Sequence, residues 1–108
     1  MTTYTVVFAP EATEHLVSIY EYIAAHGSPA SAARYTEAIV AYCEGLSSFP
    51  HRGTWRDDIR PGLRISNYKR RAVIAFDVDD TAGQVAIVGM FYGGRNYEHL
   101  LGDDTGDE

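Results

Sequence analysis

The stretch RPGLRISNYKRRAVIAF, from Arg60 to Phe76, places five cations, Arg60, Arg64, Lys69, Arg70 and Arg71, in a chain whose formal net charge is −6. Charge at that density is what binding a phosphate, or stabilising the anion that develops when a phosphodiester is attacked, requires. It is also the composition of a protein interface, or of a strand pair with solvated basic ends. The other titratable groups offer less. His15, His26, His51 and His99 are scattered without ligand spacing, so no structural metal site is expected. Cys43 is the only cysteine and falls in an apolar helical pattern with Ala41, Tyr42 and Leu46. It is expected to be inert packing, and a lone thiol fits a reducing cytoplasm.

The net charge misleads until it is divided along the chain. Asp103, Asp104, Asp107 and Glu108 form an acidic tail punctuated by glycine, expected to be disordered. Residues 1–102, expected to be a single domain, then carry nine basic and eleven acidic side chains, a net of −2. Within them Glu11, Glu14, Glu21, Glu37 and Glu44 precede residue 50, while eight of the nine basic residues follow it. One half is acidic and the other basic. No apolar run is long enough for a membrane span, and the N-terminus has neither the basic start nor the apolar run of an export signal.

The elements that must position these charges can be read from periodicity. Tyr4 to Phe8 is β-branched and aromatic, and Ala9-Pro10 closes it as a strand. Pro10 and Glu11 then open a helix whose stripe is Ala12, Leu16, Ile19, Tyr20 and Ile23, and Gly27 ends it. Ser28-Pro29 caps a second helix with the stripe Tyr35, Ile39, Tyr42 and Leu46, stopped at Phe49-Pro50. Residues 50–59 lack a period and read as a loop, with Trp55 as a plug over the core. Gly62–Asn67, Arg71–Val78 and Val85–Tyr92 read as three strands, with turns at Tyr68-Lys69-Arg70 and at 79–83. In the middle strand Ala72, Ile74, Phe76 and Val78 make one apolar face opposite Arg71, Val73, Ala75 and Asp77. The expected architecture is α+β in the order β-α-α-β-β-β, a helical hairpin packed on a mainly antiparallel sheet.

That order resembles the ParE branch of the RelE/ParE toxins of type II toxin–antitoxin modules. The resemblance rests on VVFAPEATEHLVSIYEYIAAHGSPASAARY, on LSSFPHRG after the second helix, on RPGLRISNYKRRAVIAFDVDD, and on the closing VAIVGMFYGGRNYEHLL. It covers nearly the whole chain except the acidic tail. The resemblance implies a cytoplasmic toxin neutralised by a small cognate antitoxin, whose C-terminal segment is disordered alone and folds over the toxin. A groove between helices and sheet, flanked by basic residues, would suit such a segment. ParE-like members poison DNA gyrase, whereas RelE-like members cleave mRNA on the ribosome. Neither implies a cofactor or a membrane.

The two activities make different demands on the residues. RNA cleavage by the 2′-hydroxyl needs a base, positive charge on the phosphorane and an acid for the leaving oxygen. Arg64, Arg71 and Arg95 would supply the charge, and Tyr97 or His99 the acid. Lys69 is the only lysine, no Glu or His follows Arg64 on its strand, and an acidic body gains little from counterion release on RNA. A gyrase poison needs no catalytic set, only a surface. The leading expectation is therefore partner binding without direct sequence-specific nucleic-acid contact, through Arg60, Arg64, Lys69, Arg70, Arg71, Tyr92, Arg95 and Tyr97. Beside it stands a plainer reading for Arg64, in which it pairs with Asp77 or Asp57 on a half-exposed strand.

Overall fold

The computed structural model describes residues 3–93 and residue 101. Its elements are β1 (Thr5–Phe8), α1 (Pro10–His26), α2 (Pro29–Glu44), β2 (Thr54–Trp55), β3 (Leu63–Tyr68), β4 (Ala72–Asp79) and β5 (Gln84–Tyr92). The sheet order is β1-β5-β4-β3-β2, with β1 parallel to β5 and the remaining pairs antiparallel. This is the expected α+β architecture, with one strand more than the sequence indicated. Residues 54 and 55 leave the loop to pair with Ile65 and Arg64 at the sheet edge.

Helix boundaries fall where the local chemistry places them. Pro10 occupies the first turn of α1, where its missing N–H costs nothing, and Glu11 adds negative charge at the dipole's positive end. The Ser28 hydroxyl accepts the Ser31 N–H at 3.1 Å, and Pro29 follows it. A 3-10 turn, Gly45–Ser47, continues α2, and the Ser47 carbonyl accepts the Tyr4 N–H at 2.8 Å, tying the start of β1 to the helical layer.

Both faces of the sheet are covered. The helix-facing core joins Ala12, Ile19, Ile39, Cys43 and Leu46 to Ile74, Phe76, Val85, Ile87 and Met90. The opposite face holds a smaller cluster of Leu63, Ile65, Ala75, Phe91 and Leu101, with Val73 packed against it. The face of β4 assigned to Arg71, Val73, Ala75 and Asp77 is thus partly core. Tyr20, placed on the inner stripe of α1 by its spacing, is exposed, because α1 meets the sheet along Ala12, Leu16, Ile19 and Ile23.

A bulge interrupts the inward–outward alternation of β5. Ala75 pairs with Gly89 and Phe76 with Ile87, leaving Val88 as an extra residue. Inward positions therefore switch from Val85 and Ile87 to Met90 and Tyr92, all four on the helix side. Gly89 lets the chain make this turn beside Phe91, whose ring would lie 2.8 Å from a Cβ at position 89.

The β3–β4 turn is costly. Lys69 and Arg70 have φ of 49° and 64°, the signs required at both centres of a type I′ turn, and the Arg71 N–H donates to the Tyr68 carbonyl at 3.1 Å. Asn-Gly adopts that backbone readily, whereas each non-glycine residue there gives up about 1 kcal/mol. Replacing Lys69-Arg70 with Asn-Gly is expected to stabilise the domain by about 1 kcal/mol, read as a rise in Tm of roughly 4–8 °C. An unchanged or lower Tm would show that the two long side chains stabilise the fold and offset the backbone cost.

Candidate partner-binding surface

The cations of the basic stretch do not converge. Lys69, Arg70 and Arg71 are exposed at the β3–β4 turn, and the Lys69 ammonium lies 5.5 Å from the Tyr68 ring. Arg64 lies four strand positions from Tyr68, roughly 13 Å along β3. Arg60 is half-buried beside the opposite face of the sheet, where its Nε donates to the Leu101 carbonyl at 3.3 Å. Arg95, Tyr97 and His99, like the acidic tail, lie outside the described residues.

Arg64 is not the half-exposed strand arginine that its position implied. It is only 6% exposed, its Nη1 donates to the carbonyls of His51 (2.8 Å) and Arg52 (3.4 Å), and its guanidinium sits 4.0 Å from the centroid of Trp55. It pairs with neither Asp77 nor Asp57. The Asp57 carboxylate instead accepts the Gly62 N–H at 2.7 Å. Trp55 in turn is no core plug. It is 55% exposed and lies over Arg64, because β2 and β3 set the two residues directly opposite each other at the sheet's edge.

Sequence reasoning missed a run of tyrosines crossing the helix–sheet interface. Tyr22 of α1 meets Tyr92 of β5 at 6.0 Å between centroids, and Tyr92 meets Tyr35 of α2 at 5.3 Å. Tyr35 meets Tyr68 of β3 at 5.9 Å, and Tyr68 meets Tyr42 of α2 at 5.1 Å. Tyr42 and Ser66 are hydrogen bonded through their hydroxyls. Four of these contacts are edge-on or tilted, the arrangement that ring quadrupoles favour. Burial pushes the Tyr35 phenol up to about 12, Tyr92 and Tyr68 add to the rise, and Arg71 opposes it. The signal available in sequence was Tyr35 and Tyr42 on one helical stripe, but Tyr68 was read as a turn residue, and Tyr92 joins the run only through the β5 bulge that turns it inward.

Two grooves flank β5. One of about 360 Å³ is lined by His15, Ser18, Ile19, Tyr22, Met90, Tyr92 and Gly93, with no Lys or Arg among the described lining residues. The described residues lining it do not supply the basic flank expected of a helix–sheet groove. The other, of about 300 Å³, includes Glu11, His15, Arg60, Phe91 and Leu101. His15 separates the two, and its Nδ1 accepts the Met90 N–H at 3.1 Å, so its described role is to hold α1 against β5.

Two further sets of titratable groups serve the fold. The Tyr4 hydroxyl donates to Asp80 at 2.6 Å and His51 Nε2 lies 2.7 Å from the same oxygen, joining β1, the loop after α2 and the β4–β5 turn. These two hydrogen bonds, Tyr4 foremost, hold the Asp80 carboxyl below the usual carboxylate range. Burial pushes the Cys43 thiol up to about 12, so it carries no thiolate at neutral pH, in keeping with inert packing. Among the described residues no group of three His, Cys, Asp or Glu is placed to hold a metal, and no helix is long and apolar enough to cross a membrane.

Comparison with known proteins places this architecture. A chromosomal ParDE toxin–antitoxin structure from P. aeruginosa superposes with a TM-score of 0.72 at 20% identity, covering 84% of this chain and 97% of that one. The RelBE2 toxin–antitoxin complex from Mycobacterium tuberculosis matches with a TM-score of 0.62 at 20% identity, covering 83% and 98%. No curated protein matches the sequence. The family model described as the ParE toxin of the type II toxin–antitoxin system, parDE, matches residues 6–97, and the chain belongs to that family.

Proposed function

We propose that this toxin acts by binding DNA gyrase rather than by cutting RNA, and that a cognate antitoxin folding over it neutralises it. The observation that carries this reading is the position of Arg64. A cation meant to stabilise a phosphorane must reach the phosphate, whereas this one lies under an indole with its Nη1 committed to two backbone carbonyls. Of the exposed cations left in the described part of the stretch, Lys69 lies beside Tyr68 and Arg71 acts on the Tyr35 phenol, which burial nonetheless pushes up to about 12. Their strained turn presents charge to a partner, and retaining Lys and Arg where Asn and Gly fit better is what a binding role would require. Arg95 and Tyr97 remain part of the proposed surface from the sequence pattern.

Inducing the protein without antitoxin in bacterial cells tests the reading. Loss of plasmid supercoiling and DNA breakage are expected before any fall in full-length mRNA, and Arg95→Ala is expected to relieve growth arrest at equal protein level. mRNA fragments that precede supercoiling loss would overturn it in favour of a RelE-like ribonuclease.

A further inference from the structure

We propose that the β3–β4 turn, through Lys69, Arg70 and Arg71, grips the sugar–phosphate backbone of the duplex DNA that gyrase holds, without reading its sequence. The proposal rests on the gyrase reading and deepens it, assigning the turn to the nucleic acid of that complex rather than to its protein. Three observations carry it. The first is the backbone. Lys69 and Arg70 have φ of 49° and 64°, and six ladder pairs, from Leu63–Asp77 to Tyr68–Ala72, order the hairpin that ends in this turn. Long cations are kept where Asn and Gly would cost less, and strain retained in an ordered turn points to a use for the side chains.

The second observation is charge left open to solvent. Lys69, Arg70 and Arg71 are exposed, and the ion pairs among the described residues, His51–Asp80 and Arg56–Asp58, do not involve them. Lys69 lies 5.5 Å from the Tyr68 ring, and Arg71 acts on the Tyr35 phenol, which stays protonated at neutral pH and so supplies no counter-charge. Asp79 and Asp80 lie at the far end of β4, a strand of eight residues, so roughly 27 Å from the turn. Salt screens charge over about 8–10 Å at physiological strength. The turn therefore meets a polyanion as a local positive patch, although the chain's net charge is −6.

The third is what the turn lacks. None of the large hydrophobics left exposed, Phe49 and Trp55 foremost, belongs to β3 or β4, and Tyr68, the ring beside the turn, is only 8% exposed. Protein interfaces are anchored by aromatic side chains that fill pockets, and the turn has none to offer. Phosphates ask for less: charge and N–H donors on long arms, in any register along the duplex. A free duplex repels the chain as a whole, so the turn alone binds it weakly. Held beside the duplex by gyrase, the same cations act at a high effective concentration, and the DNA contact adds to a protein contact made elsewhere.

The test measures binding of the purified full chain to gyrase with and without a bound DNA duplex, between about 50 and 200 mM salt. DNA is expected to tighten binding, and the gain to fade as salt rises. Lys69→Asn combined with Arg70→Gly removes two cations while suiting the turn's backbone, so the fold is not put at risk. This variant is expected to bind gyrase alone as the unaltered chain does. With DNA present its Kd should rise roughly tenfold, and the slope of log Kd against log salt should fall by about 2. Arg71→Gln should lower that slope by about 1. Equal weakening with and without DNA would reassign the turn to a protein contact and overturn the proposal. An unaltered chain that gains nothing from DNA, or a variant that loses nothing, overturns it as well, and in each case the gyrase reading stands. Failure of the unaltered chain to bind gyrase in either state overturns that reading, and this proposal with it.

Discussion

Phe76→Ala is expected to lower the stability of the domain by about 3–5 kcal/mol, a large part of the 5–15 kcal/mol typical of a natural domain. Phe76 is among the largest fully buried side chains and belongs to the helix-facing core with Ile74, Val85 and Ile87. Its neighbours cannot close over the cavity, because Phe76 pairs with Arg64 on one side and with Ile87 at the β5 bulge on the other. The ring also approaches the loop at Gly53, so truncation opens the roof over Arg64 as well as the core. Urea unfolding checks this: the midpoint should fall with an unchanged slope, since the same surface is exposed on unfolding. Val73→Ala, a half-buried residue of the smaller cluster on the other face, should cost no more than about 1.5 kcal/mol. Equal costs at the two positions would mean that the helix-facing layer is not the dominant core.

Much of this fold was legible in the sequence because local signals and tertiary demands agree. Pro10 with Glu11, and Ser28 with Pro29, mark helix starts through the backbone groups they satisfy or lack, and the structure begins both helices there. Ile74 and Phe76 alternate with Val73 and Ala75 because β4 is regular on its β3 side. The illegible parts are those set by contacts distant in sequence. A bulge on β5 inverts inside and outside midway along a strand, which no fixed period can express, and that inversion assembles the tyrosine run.

The candidate site was legible as composition and not as geometry. Lys69 and Arg70 were correctly placed in a turn, since polar residues between two apolar runs have few other homes, whereas Tyr68, read as turn, ends β3, and Arg71, read as strand, belongs to the turn. The positive φ angles of Lys69 and Arg70 were unreadable, because Lys and Arg are among the last residues expected there. Arg64 was misplaced for a more general reason. A strand arginine is solvated or paired unless another segment covers it, and the covering segment, residues 51–55, had no periodic signal. Trp55 was assigned to the core by its size, yet an edge strand only two residues long has no opposing layer to receive it.

Gly53→Ala is expected to cost about 2–4 kcal/mol and to dismantle the Arg64 environment at the same time. Gly53 has φ of +88°, and a Cβ there would lie 2.5 Å from the Ile65 carbonyl oxygen and 3.2 Å from its carbon. Both atoms are backbone of β3, so the loop must move. When it lifts, Arg64 loses the His51 and Arg52 carbonyls that accept from it, and a buried guanidinium left without them must draw in water or leave. The emission of Trp55 should shift even under native conditions, because the ring rests on that guanidinium. Gly83→Ala isolates the steric part: φ is +67° there as well, but nothing lies within 4 Å of the added carbon, so only the backbone cost of about 1 kcal/mol remains. Urea midpoints of the two variants decide the matter. A Gly53→Ala midpoint well below that of Gly83→Ala, with an altered Trp55 spectrum in the first variant alone, is the expected result. Equal midpoints with unchanged spectra would show that residues 51–53 do not hold Arg64 in place. The same glycine would then be dispensable to the β2 edge, since it is the close approach at Gly53 that brings two carbonyls to Arg64 and, through it, fixes Trp55.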